Sequence, residues 1–115
     1  MRGMDQVETG QPDRRKQKRI HFIKEVEVVG VGVRRCSDLS TEGMYLETVH
    51  SVPIGTICDL QFKLSDTDPQ PIKVQGCVIY VHEGVGMGLN FVNLKPEDLE
   101  RIKQFVRIKS FIENT

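Results

Sequence analysis

A chain of 115 residues is long enough to bury one hydrophobic core and too short for a second of ordinary size, which excludes a two-domain arrangement within it. Its 16 Lys plus Arg equal its 16 Asp plus Glu, and aromatics make up 6% of the chain, so it lacks the bulk charge and the stacking surface of a protein that coats nucleic acid. The cysteines, Cys36, Cys58 and Cys77, are far apart with no Cys-x-x-Cys pair, and no apolar run approaches the ~18 residues of a membrane span, which together give a cytoplasmic reading with reduced, buried thiols and no metal site.

Residues 1–13 are polar, contain Gly and Pro, and show no periodicity, so they read as a disordered leader ahead of a domain over 14–115. From His21 the chain becomes strand-like. Phe22 to Val29 alternates and is rich in β-branched residues, and Gly30-Val31-Gly32 then marks either a hairpin turn or a bulge. Val33 to Leu39 reads as a second strand, Ser40 to Gly43 as a polar turn, and Met44 to Thr48 as a short third strand whose apolar residues are assigned to the core.

After Pro53-Ile54-Gly55, Thr56 to Leu64 alternates, with Ile57, Cys58, Leu60, Phe62 and Leu64 assigned to the inner face. Ser65 to Pro71 is a loop by its Asp and Pro content, and Ile72 to His82 is a long strand. Glu83 to Gly86 turns into Met87 to Val92, where Gly86 and Gly88 suggest close backbone approach. The period then changes. Pro96 suits a first helical position, Glu97, Asp98 and Glu100 suit the positive end of the helix dipole, and Leu99, Ile102, Phe105, Val106 and Ile112 recur at helical spacing over about four turns. The resulting fold class is all-β dominated: a six-stranded antiparallel β-barrel with a C-terminal α-helix.

Two segments carry chemistry. Arg14-Arg15-Lys16-Gln17-Lys18-Arg19 is a dense basic run with arginines four positions apart, and a guanidinium can fork onto phosphate oxygens or onto the O6 and N7 acceptors of guanine. On its own the run is also what a solvated leader, or a nonspecific tether to nucleic acid or acidic lipid, would look like. Asp38-Leu39-Ser40-Thr41-Glu42-Gly43 is, on its own, a turn. If Leu39 points inward, however, Asp38 and Ser40 point outward, where a carboxylate can accept from guanine N1 and N2 and a hydroxyl can meet a phosphate or base edge. No catalytic constellation accompanies them: Ser40 lies in no Gly-x-Ser-x-Gly elbow, and His21, His50 and His82 are scattered singly, so an enzyme is not expected.

The two segments, taken together, resemble the PilZ domain family, the bacterial receptors for cyclic di-GMP, which is marked by RxxxR before the barrel and by [D/N]xSxxG after the first hairpin. Arg15 and Arg19 fit the first motif, Asp38, Ser40 and Gly43 fit the second, and Gly86-Met87-Gly88-Leu89-Asn90-Phe91 looks like the family's last strand. The resemblance covers roughly residues 14–112 and implies cyclic di-GMP bound on the outer surface of the barrel. By position it implies that Arg15 and Arg19 grip phosphates and guanines, that Asp38 and Ser40 read the guanine edge, and that Gly43 lets the turn approach the ligand. Arg14, immediately before RxxxR, implies capture of two intercalated ligand molecules. It further implies an arm that passes from mobile to ordered on binding and signals to an unidentified protein partner, with no cofactor. Two rival readings stand beside it: a small OB-like barrel that binds nucleic acid, and a structural adaptor that uses no ligand.

Overall fold

The structure, a computed structural model, describes residues 18–113. Arg14, Arg15 and the leader expected over 1–13 lie outside the described residues. The elements are β1 (Ile20–Val28), β2 (Gly32–Leu39), β3 (Gly43–Glu47), β4 (Ile57–Phe62), β5 (Ile72–His82), β6 (Gly86–Val92) and α1 (Pro96–Glu113). The strands close into an antiparallel barrel in the order β1-β2-β3-β6-β5-β4, and β4 returns to β1 through Glu27↔Gln61 and Val28↔Leu60. Closure leaves no sheet edge, so the six-stranded barrel with one C-terminal helix expected from the sequence is the fold observed.

Alternation explains the core. Ile20, Phe22, Val26 and Val28 of β1, Met44 and Leu46 of β3, Leu60 and Phe62 of β4, and Met87 and Leu89 of β6 are all buried, while the residues between them face out. Ile57, expected on the inner face, is one residue out of phase with Cys58, Leu60 and Phe62 and is half exposed. Tyr45, grouped with the core of β3, likewise faces outward between buried Met44 and Leu46. Gly30-Val31-Gly32 makes a hairpin turn rather than a bulge: Val31 N–H donates to Val28 O, and Gly30 and Gly32 take positive φ.

The helix covers one end of the barrel. Ile102 and Val106 are buried, and Phe105 meets Phe22 edge-on at 5.5 Å, continuing a chain of rings through Phe62 to Phe91. Arg101 fastens the helix to the β4–β5 loop by donating to Asp68 and to the carbonyl of Gln70, while also pairing with Asp98 one turn back. With 18 residues α1 is longer than the four turns expected, and its last turn runs beyond the core: Ile112, which the helical spacing places in the packed stripe, is 59% exposed, and neighbouring Ile108 and Phe111 are exposed too. No helix of the described residues is long and apolar enough to cross a membrane.

Candidate functional site

Arg19, the last residue of the first motif, meets the second motif on the outer face where β1 and β2 pair. β2 carries a bulge between Cys36 and Asp38, so that Ser37 and Asp38 together oppose the single residue Tyr45 of β3. The bulge decides where Asp38 points. Cys36 is buried, and plain alternation from it would turn Asp38 inward and Leu39 outward; the extra residue reverses this, leaving Leu39 buried and Asp38 at the surface. The Cys36 thiol donates to the carbonyl of Asp38 at 3.1 Å and so engages the bulged backbone. Burial first, and the Asp38 charge second, push that thiol up to about 12, so it serves as packing rather than as a nucleophile. A register shift in β1 between His21 and Lys24 lies directly across from this bulge.

Arg19, just before β1, reaches over this irregular patch. Its Nε and Nη2 both donate to Asp38 Oδ1, at 3.1 and 2.6 Å, and its Nη1 lies 3.3 Å from Ser40 Oγ. The two side chains of the ion pair remain 27% and 35% exposed, so the pair is open to solvent and to a ligand. The second carboxylate oxygen of Asp38 has no hydrogen-bond partner among the described residues. The arrangement combines a planar cation, an acceptor and an open surface, which suits an anionic ligand carrying a base with N–H donors.

Ser40 is covered rather than open: the residue is 1% exposed, with its Oγ within 3.3 Å of the Arg19 guanidinium and accepting from the backbone N–H of Glu42 at 3.1 Å and of Gly43 at 3.3 Å, which closes the β2–β3 turn. Gly43 does not take positive φ. A Cβ there would fall 1.9 Å from the carbonyl oxygen of Leu89, so glycine is required by the close approach of β3 to β6. Phe91 N–H donates to Glu42 O and fixes the same turn to β6. Asp38 and Arg19 are therefore the exposed pair, and Ser40 and Gly43 build the turn beside them.

Sequence reasoning missed an aromatic neighbour. The outward row His21, Asp38, Tyr45, Gly88, Tyr80 crosses β1, β2, β3, β6 and β5. Tyr45 and Tyr80 have ring centroids 6.2 Å apart, His82 lies 5.7 and 5.2 Å from them, and Tyr45 Oη is 3.0 Å from His82 Nδ1. Partial burial first, then the nearby Tyr80, Glu47 and Asp38, raise the Tyr45 hydroxyl above its ordinary value, so it stays protonated at neutral pH. Gly86 and Gly88 are sites of close approach, of backbone and ring at the first and of a ring at the second: an added Cβ at Gly86 would stand 2.5 Å from the carbonyl oxygen of Leu46 and 2.6 Å from the Tyr45 ring, and one at Gly88 2.4 Å from the Tyr80 ring. The available signal was the Gly-x-Gly spacing in β6, which leaves two successive outward positions without side chains. Among the described residues, no group of three or more His, Cys, Asp or Glu is placed to hold a metal ion.

A family model described as the PilZ domain matches residues 13–107. No curated protein sequence matches significantly. Among solved structures, the inhibitor of motility MotI/DgrA of Bacillus subtilis superposes with a TM-score of 0.78 at 16% identity, covering 86% of this chain and 52% of its own. YcgR of Escherichia coli in complex with c-di-GMP superposes at 0.73 and 14% identity, over 88% and 48%. The separate PilZ domain of YcgR with c-di-GMP gives 0.68 and 15%, over 88% and 95%. The chain thus spans about half the length of the first two structures, and at these identities the likeness is one of fold.

Proposed function

Given that the chain belongs to the PilZ domain family, we propose that it is a receptor for cyclic di-GMP and that the Arg19–Asp38 patch is part of its binding surface. What supports the reading is one observation: the last arginine of the basic run and the acid of the second motif, 19 residues apart in sequence, meet at 2.6 Å on the outside of the barrel. On this reading the ligand phosphate draws the Arg19 fork, and the Asp38 carboxylate accepts from the N1 and N2 donors of a guanine. Ser40 and Gly43 act on the ligand mainly by holding the turn that presents Asp38. Arg14 and Arg15, outside the described residues, are proposed to complete the grip on phosphate and base, with Arg14 favouring two intercalated ligand molecules.

Binding would supply contacts that exist only when the arginine segment lies against the barrel, so ligand and arm position are coupled, and a cytoplasmic partner protein would read the altered surface. The chemistry assigned to these residues is recognition, not catalysis. The test is titration calorimetry of the full chain with cyclic di-GMP, GTP and a single-stranded oligonucleotide at two salt concentrations. Selective heat with cyclic di-GMP, at one or two molecules per chain, is expected. Binding of the oligonucleotide alone, weakening steeply with salt, would replace this reading with the nucleic-acid-binding barrel.

A further inference from the structure

The aromatic residues of this chain are few, yet its two tyrosines stand together on the outer face with His82, in the same cross-strand row as Asp38. Side chains normally stand off a sheet, but here the Tyr45 and Tyr80 rings lean over β6, whose outward positions 86 and 88 are glycines. The consequence is a shallow shelf. The tyrosine planes differ by 31°, the His82 plane differs from theirs by 41° and 43°, and Tyr80 is 41% exposed although it has an apolar ring to hide. The hydrogen bond between Tyr45 and His82 limits how the Tyr45 ring can turn. A preset, exposed set of π faces loses little conformational entropy when a flat partner settles on it.

We propose that the Tyr45–Tyr80–His82 shelf is the floor on which a purine base of the bound dinucleotide stacks, an extension of the site that rests on the ligand reading given above. Tyr45 is the direct cross-strand neighbour of Asp38, and neighbouring strands lie about 4.8 Å apart, so a dinucleotide gripped at Arg19 and Asp38 reaches the shelf with a second ring system. A planar base fits this surface better than an aliphatic chain does, because stacking uses the ring faces while the phosphate stays over the Arg19 side of the row. The shelf also explains why this outer face tolerates exposed aromatics beside a polar pair. It would give affinity for purines in general, with guanine selected at Asp38.

The chain offers its own probe. It has no tryptophan, and Tyr45 and Tyr80 are its two tyrosines, so intrinsic tyrosine emission reports on the shelf alone. We expect cyclic di-GMP added to the full chain to change that emission with the same midpoint as the calorimetric heat, after correction for ligand absorbance. Tyr80→Leu, which keeps bulk but removes the π face, should weaken binding about 5- to 100-fold, the range of one lost base–aromatic stack. Tyr80→Phe should restore most of that loss, and far-UV circular dichroism of each variant checks that the barrel is intact. Heat with no change in emission, together with unaltered affinity in Tyr80→Leu, would overturn the shelf while leaving the Arg19–Asp38 reading in place. No heat with the unaltered chain would overturn both, an outcome distinct from the first.

Discussion

Arg19 is held in the ligand-free protein by the same groups that the ligand is proposed to engage, and the cost of that arrangement is small. An ion pair whose partners are 27% and 35% exposed contributes about 0–1 kcal/mol. Arg19→Ala should therefore abolish most cyclic di-GMP affinity by calorimetry while lowering the ligand-free Tm by less than about 8 °C. A larger fall would make Arg19 structural. Ser40 is the opposite case. The residue is 1% exposed and its oxygen satisfies two backbone N–H groups of the turn, so Ser40→Ala should cost about 1–3 kcal/mol in denaturant unfolding whether or not ligand is present. The sequence made Asp38 and Arg19 legible as a pair, because charge and motif spacing are written in single residues. It did not disclose that Ser40 is covered, since that depends on the local closure of the turn and not on a period of two.

Strand identity was readable because burial imposes a period of two, and β4 and β5 show it plainly. Bulges were not readable, because one inserted residue leaves no mark in composition; yet the bulge at Ser37 and Asp38 is what turns the carboxylate out. The helix start was legible from Pro96 and the acids of the first turn, whereas its far end was not: apolar Phe111 and Ile112 continue the pattern past the barrel that would bury them. What fixes α1 laterally is Arg101. The Asp68 carboxyl is held below its ordinary 3.8, first by the backbone N–H of Gln70 and then by the Arg101 guanidinium. A carboxyl lowered in the folded state stabilises the fold fully above its unfolded value and loses that contribution as pH falls through the lowered one. Arg101→Ala should thus destabilise by on the order of 1 kcal/mol at pH 7, and denaturant curves at pH 7 and pH 3 should show the gap from the unaltered chain narrowing on acidification.

At the scale of the whole barrel, core and site occupy opposite faces of the same strands. Met44 and Leu46 point into the core while Tyr45 points to the shelf, and Leu39 points in beside outward Asp38. Stability and recognition should then be separable. Ile102 is fully buried where α1 covers the end of the barrel, and truncating it to alanine should cost about 2–5 kcal/mol. If the barrel refolds around the loss without shifting its outer face, the dissociation constant for cyclic di-GMP should stay within about twofold, because sites that do not share a perturbed partner behave additively. Ligand at a hundred times its dissociation constant should then stabilise the unaltered chain and Ile102→Ala by the same amount, about 2.7 kcal/mol per site. Thermal unfolding with and without ligand measures both increments. An increment that shrinks in Ile102→Ala would show that the helix end of the barrel is coupled to the binding surface, and α1 would then become the natural route by which occupancy reaches a partner.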